Sequence, residues 1–397
     1  MTVIEAREPA RFMIELVEAA AGDGTVLLAD PRWGEDERRQ IAALLQTSVK
    51  VGTGAADRLG WLGVPTGGSS GILRFARHDE KTLAAAVDGF CRHFAVKQVN
   101  TVGVLPLHHV SGLMGWMRAA LTGGTFIPWS WPEMEGGNFP ALPPGDWFLS
   151  LVPTQLGRLI KSGRAQEWLR GFSAVFVGGG PAWGELLEQA AMANLPLAPT
   201  YGMTETAAMV AAVTAAEFLA GARSSGRPLP HARISIDGEG RIRIEGESVF
   251  RGYYPEGKAC RELVTDDIGR LDANGHLHVR GRRDAVIISG GEKVQPEEVE
   301  AVLRASGAFE EVAVLGLPDT EWGQKVVVAY RAATEPDLKQ LARFLEQRLA
   351  PAKRPKRLVP LDSWPASPQG KISRAELTRL VEEAIRLADN PNGGRIS

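Results

Sequence analysis

Thr265-Asp266-Asp267-Ile268-Gly269-Arg270-Leu271, then Gly281-Arg282-Arg283-Asp284 and Ile288-Ser289-Gly290-Gly291-Glu292-Lys293, set the terms on which this chain is read. A carboxylate such as Asp267 can accept hydrogen bonds from two neighbouring hydroxyls, which is what a ribose offers. A guanidinium such as Arg282 donates in a fixed fork suited to a phosphate or a ribose edge. Residue by residue, a plainer reading exists: a hairpin with acidic turn residues, then a glycine turn before a helix. The ordered string is more specific than that.

Upstream of it, short β-rich runs alternate with helical patterns. Val26 to Ala29 precedes Glu35 to Gln46, Val99 to Leu105 precedes Gly112 to Leu121, and Ala174 to Val177 precedes Gly184 to Met192. Such alternation predicts an α/β fold with largely buried parallel strands. Pro128 to Asp146, with its two tryptophans and its Gly-Gly and Pro-Pro pairs, reads as a long surface excursion. From Ala285 onward the pattern becomes a compact α+β unit of a size that folds alone. The expected division is therefore a large domain over 1–281, a hinge at 282–284, a small domain over 285–388 and a disordered tail at 389–397.

The composition fits a globular chain and excludes some classes. Its 397 residues are 44% hydrophobic and 23% charged, enough for two or three domains. A net charge of -2 and a pI near 6.4 argue against a surface built for nucleic acid. Cys91 and Cys260 have no metal-like spacing and form no disulfide framework. The first residues lack a secretion signal, and no apolar run reaches the ~18 residues of a membrane span. The expectation is a cytoplasmic protein, monomeric or homo-oligomeric, with small-molecule partners.

Three further stretches carry chemistry. In Thr66-Gly67-Gly68-Ser69-Ser70-Gly71, glycines free the backbone to turn its N–H groups inward and hydroxyls add donors, which suits a polyphosphate. No Lys-Ser/Thr pair follows Gly71, so this is not a Walker loop. In Tyr201-Gly202-Met203-Thr204-Glu205-Thr206, an aromatic can stack on a purine, a threonine can bond a phosphate oxygen and a glutamate can hold Mg²⁺. The alternative there is a helix N-terminus with a threonine cap and an acidic first turn. Leu105-Pro106-Leu107-His108-His109-Val110-Ser111-Gly112-Leu113 sits at a strand-to-helix junction. Adjacent histidines would diverge on a helix, which speaks against a metal pair.

Together these segments resemble the adenylate-forming enzymes, the acyl- and aryl-CoA ligases. The resemblance runs from about Gly63 to Arg374 and implies a large α/β domain of adenylate-forming type, shortened at its N-terminus, with a small mobile α+β domain. Thr66 to Gly71 resembles the family's phosphate loop, with Gly67 in place of its first serine and Leu73-Arg74 where Pro-Lys is usual. Tyr201 to Glu205 matches Tyr-Gly-x-Thr-Glu. The resemblance assigns Tyr201 and Gly202 to adenine, Thr204 to the α-phosphate and Glu205 to Mg²⁺. Gly178-Gly179-Gly180-Pro181 is similar to the loop along the adenine. Asp267 and Arg282 match the ribose-contacting pair, Asp284 the hinge, and Gly290 to Lys293 the loop that lines the pantetheine tunnel. Lys371, in Pro368-Gln369-Gly370-Lys371, matches the lysine that stabilises charge during adenylation.

The His109 segment, together with Leu151 to Leu156, is similar to o-succinylbenzoate:CoA ligases, His109 standing on their motif histidine and His108 on an aromatic position. The short stretch before Thr66 resembles ligases whose product leads to phylloquinone. This implies ATP, Mg²⁺ and CoA as reactants and 2-succinylbenzoate as the acid, for menaquinone or phylloquinone biosynthesis. His109, Ser111 and Gly178 would line its site. That acid keeps one carboxylate intact while the other is activated, so its site should contain a cation or a set of hydrogen-bond donors for the spectator group. Arg118, set among apolar residues two turns into the helix, is the candidate. Two rivals stand: another acyl- or aryl-CoA ligase, and a non-catalytic nucleotide-binding protein.

Overall fold

The computed structural model describes residues 1–50, 60–66, 73–180, 184–255, 261–289, 292–365 and 374–389. Contacts divide the chain into two compact units. The first takes Met1–Ala182, Leu186–Thr265 and Arg270–His278, and the second takes Trp183–Glu185, Asp266–Gly269 and Val279–Ser397.

The first unit is built on three sheets. The largest orders its strands Arg227–Pro228, Ala208–Ala212, Leu197–Met203, Ala174–Val177, Trp147–Leu151, Asn100–Gly103, Phe126–Pro128. The last five pair in parallel, and the first two close one edge antiparallel. Their central runs, Ala-Val-Phe-Val and Trp-Phe-Leu-Ser-Leu, are buried almost throughout, as two-sided coverage by helices requires. Helix Glu80–Phe94 starts from a capping box between Asp79 and Thr82 and ends on Ala95 in the left-handed conformation. Helix Val110–Leu121 buries seven residues. It starts close against its own entry loop, where a side chain on Gly112 would collide with the Pro106 carbonyl. Leu113 and Met114 on this helix are fully enclosed, each worth roughly 2–3 kcal/mol of apolar burial.

A second sheet runs Thr2–Ile4, Val26–Leu28, Leu62–Thr66, Arg74–His78, Tyr253–Tyr254. Its last strand comes from far along the chain and pairs antiparallel, Tyr253 opposite Ala76 and Tyr254 opposite Phe75. The third sheet orders Ala232–Ile236, Arg241–Gly246, Glu262–Leu271 and Leu277–Arg282.

The segment Pro128 to Asp146, read as a surface excursion, is largely exposed and is pinned at a few points. It contains helix Trp131–Glu135, whose Met134 is fully buried. Phe139 stacks on Trp168, and the Trp168 and Trp147 indoles donate to the carbonyls of Pro140 and Pro143. These anchors join it to residues outside the segment, which glycine and proline content does not report.

In the second unit a five-stranded sheet runs Glu292–Val294, Ile287–Ser289, Gly323–Arg331, Glu311–Asp319, with Arg357–Pro360 beside Gly323–Arg331. The long hairpin of Glu311–Asp319 and Gly323–Arg331 pairs nine residues in unbroken register. Val294, Val299, Leu303, Val314, Val326 and Val328 close one face of it, and Leu377 and Val381 of helix Arg374–Asp389 pack on the other.

Candidate active site

Strand Leu197–Met203 carries Tyr201 and Gly202 directly into a 3-10 turn, Thr204–Thr206, and the chain returns as Ala208–Ala212. No α-helix follows, so this is a hairpin turn and not the helix start that a capping threonine and an acidic residue suggested. Thr206 holds it: its hydroxyl accepts from Met203 N at 3.1 Å and lies 2.7 Å from the Ala208 carbonyl. Ala207 and Ala208 take positive φ values of 50° and 76°, a conformation costly for residues with a Cβ, so tertiary contacts must enforce it. Gly202 faces the return strand so closely that a side chain would collide with Ala208.

Those contacts come from two distant strands. His78, at the end of Arg74–His78, points its Nε2 at the Thr204 carbonyl, 2.8 Å away, and its Nδ1 lies 3.1 Å from Thr82 Oγ1. With a carbonyl in front of Nε2, the ring is the Nε2–H tautomer and Nδ1 accepts from Thr82. Burial pushes its pKa down to about 4, against the opposing pull of the Thr204 carbonyl. From the other strand, Phe250 N donates to the Glu205 carbonyl at 2.9 Å and the Tyr253 hydroxyl donates to Glu205 Oε1 at 2.8 Å. Arg74 holds its guanidinium 5.4 Å from the Tyr253 ring centroid. The two strands are locked together by Arg251 N to Arg77 O, Arg77 N to Gly252 O, and an Arg251–Asp79 ion pair at 2.8 Å. Sequence reasoning singled out Thr204 and Glu205 as candidates and did not point to His78 or Tyr253, which hold their turn. The available signal was Phe250-Arg251-Gly252-Tyr253-Tyr254, an aromatic pair around a glycine with an arginine inside it.

Of the other expected residues in this unit, Thr66 and Arg74 face each other in the antiparallel pair that flanks the glycine- and serine-rich segment. Gly67, Gly68, Ser69, Ser70 and Gly71 lie outside the described residues, as does Pro181. Gly178 follows strand Ala174–Val177 and packs against Thr200, and Gly179 has φ +75°. Tyr201 is only 9% exposed and lies in an apolar cluster with Val210, Ile244 and Val249. Most of its side chain is therefore packing.

At the other end of the sheet, His109 is the N-cap of helix Val110–Leu121, with φ -101° and ψ 147°, and its side chain makes no capping bond. Because the pair precedes the helix, the two imidazoles do not diverge as expected; their centroids lie 4.7 Å apart. Asp30, after strand Val26–Leu28, joins them, and the ligand atoms of Asp30, His108 and His109 all lie within 4.8 Å of one another. A metal is nevertheless poorly suited here, because Arg32 already occupies this carboxylate. Its backbone N and Nε reach Oδ1 at 3.0 and 2.9 Å, its Nη2 reaches Oδ2 at 2.8 Å, and His108 Nε2 takes the remaining side of Oδ2 at 3.2 Å. A guanidinium on both oxygens repels a cation. Burial opposes ionisation of Asp30, yet His108 and Arg32 hold it far below the usual carboxylate range.

Ser111, Gly115 and Arg118 fall on one stripe of the same helix. Ser111 and Gly115 border a cavity of about 10 Å³ with Thr101 to Leu105 and Ser150, room for little more than one water. Arg118 is 3% exposed, with its guanidinium 4.4 Å from the Phe90 centroid and 5.9 Å from that of Phe176. Among the described residues no carboxylate pairs with it, and its Nε has no hydrogen-bond partner. Burial lowers its pKa to about 10, so it remains charged at neutral pH. The neighbouring His231 is pushed down to about 4 by burial and then by the Arg118 and Arg92 charges.

Within the second unit, Arg282 is forked onto Asp284 by two 2.8 Å hydrogen bonds, with Asp267 3.6 Å and Asp266 3.9 Å from the guanidinium. The hydrogen bond from Arg282 holds Asp284 below the carboxylate range, and Asp284 raises Arg282 in return. The ribose candidates and the hinge candidate are thus one cluster. Gly281, at φ +143°, leaves no room for a side chain beside Gln295 and Glu297, and Arg374 pairs with Glu297 at 3.1 Å. Gly290, Gly291 and Lys371 lie outside the described residues.

Among the described residues no helix is long and apolar enough to cross a membrane. A 2-succinylbenzoate–CoA ligase of Oceanobacillus iheyensis is 34% identical over 287 residues, which are 69% of this chain and 60% of that protein. One from Geobacillus kaustophilus is 34% identical over 299 residues, 70% of this chain and 61% of that protein. The chain thus spans about 60% of the length of the curated relatives it matches. In three dimensions it is similar to o-succinylbenzoate CoA synthetase from Bacillus subtilis in complex with the acyl-adenylate intermediate OSB-AMP. That likeness has a TM-score of 0.78 at 22% identity and covers 95% of this chain and 87% of that one. ATP-bound MatB from Rhodopseudomonas palustris superposes with a TM-score of 0.77 at 21% identity, over 95% of this chain and 88% of that one. Both likenesses establish the fold, a mixed α/β arrangement of the adenylate-forming kind. The AMP-binding enzyme model matches residues 64–254, the hairpin turn and its two supporting strands included, and the AMP-binding enzyme C-terminal domain model matches residues 298–371, so the chain belongs to the AMP-binding enzyme family.

Proposed function

We propose that this chain is an AMP-forming acid–thiol ligase that joins 2-succinylbenzoate to CoA at the expense of ATP, a step of menaquinone or phylloquinone biosynthesis. In the first half-reaction a carboxylate oxygen of the acid attacks the α-phosphorus of ATP and pyrophosphate leaves. In the second, the CoA thiol attacks the acyl carbon and AMP leaves.

Each residue then has a task. Thr66 to Gly71 and Arg74 hold the leaving phosphates. Tyr201 and Gly202, with Gly178 to Pro181, border the adenine, and Thr204 donates to the α-phosphate. Asp267 and Arg282 take the ribose, which requires Arg282 to exchange at least one bond to Asp284. Lys371 stabilises the charge that builds during adenylation. Asp284 is the hinge between half-reactions. His109 and Ser111 border the acid.

Magnesium fits the hairpin turn: Glu205 and Thr204 offer hard oxygen donors, and the Glu205 carboxylate is already fixed in direction by Tyr253. Glu205 would hold the ion, which when bound neutralises phosphate charge.

The observation that carries the choice of acid is Arg118. An enclosed guanidinium flanked by aromatic faces, with no carboxylate pairing among the described residues, is costly unless an anion completes it. A dicarboxylate brings that anion in its spectator group, whereas a fatty acid brings none. The relatives named as 2-succinylbenzoate–CoA ligases support the same acid. An acid panel with ATP, Mg²⁺ and CoA, read by mass spectrometry, tests it. Thioester should form from 2-succinylbenzoate in preference to benzoate, malonate and fatty acids. A preference for any acid without a second carboxylate would refute the substrate.

A further inference from the structure

We infer that Tyr253 is a positioning residue for the Glu205 carboxylate and thereby sets how tightly this chain binds the divalent cation that accompanies the nucleotide. The inference rests on the reading of Glu205 as the metal-holding group.

Glu205 is tied at both ends to one short segment. Its carbonyl accepts from Phe250 N at 2.9 Å and its Oε1 accepts from the Tyr253 hydroxyl at 2.8 Å, across 48 residues of sequence. A glutamate on a three-residue turn would otherwise sample several rotamers. One bond to a fixed phenol selects among them and so sets the direction of the second oxygen.

The phenol is itself fixed. Its backbone is paired opposite Ala76, its ring meets Phe250 edge-on at 4.8 Å and 68°, and the residues either side are held by Arg77 and Asp79. Above the ring stands Arg74, at the exit of the phosphate-loop segment. A guanidinium over a phenol draws electron density from the ring and strengthens its O–H as a donor. The contacts therefore link Arg74, an aromatic ring and the proposed metal-holding carboxylate in sequence. Nothing in the Tyr-Gly-x-Thr-Glu motif encodes it, because Arg74 and Tyr253 come from other strands.

The test is Tyr253→Phe in the full chain, which removes one oxygen and keeps the ring between Phe250 and Arg74. Mn²⁺ binding is titrated by electron paramagnetic resonance in the presence of an ATP analogue that cannot lose pyrophosphate. Loss of an outer partner of a metal ligand commonly weakens metal binding by roughly 10–100-fold. That loss is expected here, with the melting temperature and metal-free nucleotide binding unchanged. In the double variant with Glu205→Gln the loss should not exceed that of Glu205→Gln alone, since Tyr253 acts through Glu205. If Glu205→Gln weakens Mn²⁺ and Tyr253→Phe does not, the positioning role falls while the reading of Glu205 stands. If Glu205→Gln itself leaves Mn²⁺ binding intact, both fall. Additive losses, or a melting point that drops in step with affinity, would also overturn the inference, because they indicate a structural role alone.

Discussion

His78 reaches across 126 residues of sequence to place its Nε2 2.8 Å from the carbonyl oxygen of Thr204. The bond is made by a fully buried neutral imidazole, and it holds one shoulder of the turn that carries Glu205. Its protonation would put a charge in the core against the cost of burial, with Asp79 favouring it and Arg251 opposing it.

Stability should therefore depend on acid in a defined window. The folded pKa of His78, about 4, is depressed below the usual 6.5, so only the unfolded chain takes up the proton between these values. Its contribution is complete above about pH 6.5, is lost as the pH falls toward 4, and amounts to roughly 2 kcal/mol between pH 7.5 and 5. His231, also near 4, acts in the same direction. Urea unfolding of wild type and His78→Phe at both pH values measures it. An equal pH slope in the two proteins would show that His78 is not the group responsible.

Arg118→Met keeps a long apolar side chain against Phe90 and removes the charge. KM for 2-succinylbenzoate should rise strongly, since removing one partner of a desolvated charge pair commonly costs about 2–5 kcal/mol. An analogue lacking the ring carboxylate should be nearly unaffected, and so should ATP. Equal weakening of both acids would make Arg118 a structural residue of the aromatic core.

Lys371→Ala should slow adenylate formation several hundredfold and leave the conversion of supplied acyl-adenylate and CoA to thioester. Loss of a preorganised charge at a phosphoryl transition state is worth roughly 3–4 kcal/mol, several hundredfold in rate. Single-turnover assays of the two half-reactions separate these steps, and equal loss in both would contradict the role.

Asp284→Pro fixes φ near −65° and also removes the carboxylate that Arg282 grips, so Asp284→Ala is its necessary companion. Adenylation should survive in both. Thioester synthesis should fail in the proline variant and persist in the alanine one. Failure in both would trace the effect to the ion pair, and survival in both would remove Asp284 as the hinge.

Alternation of strand and helix made the parallel sheet legible, because strands buried on both faces are written as unbroken apolar runs. The Tyr-Gly-x-Thr-Glu motif singled out this segment, but its shape was misread: a capping threonine and an acidic residue suggested a helix start where the chain makes a hairpin turn. What supports that turn was not legible. His78 and Tyr253 act through pairings that span 126 and 48 residues, and a single sequence carries no record of which distant residues meet. Asp30 was missed for the same reason. The expected divergence of His108 and His109 failed for a local one: it assumed helical geometry at a position that turned out to be the cap.

The strand that Tyr253 and Tyr254 add to the N-terminal sheet bears on how the chain is made. Arg251 and Asp79, which join this strand to its neighbour, are 172 residues apart. At about 5–20 residues per second, a ribosome needs roughly 10–30 s to bridge that gap. Through that interval the Arg74–His78 strand is an edge with unpaired backbone, available to any other strand it meets. Contacts this remote in sequence are also slow to form once the chain is free. The turn that carries Glu205 can reach its final shape only after the last of them closes, so the proposed metal-binding turn is among the last parts of the first unit to mature.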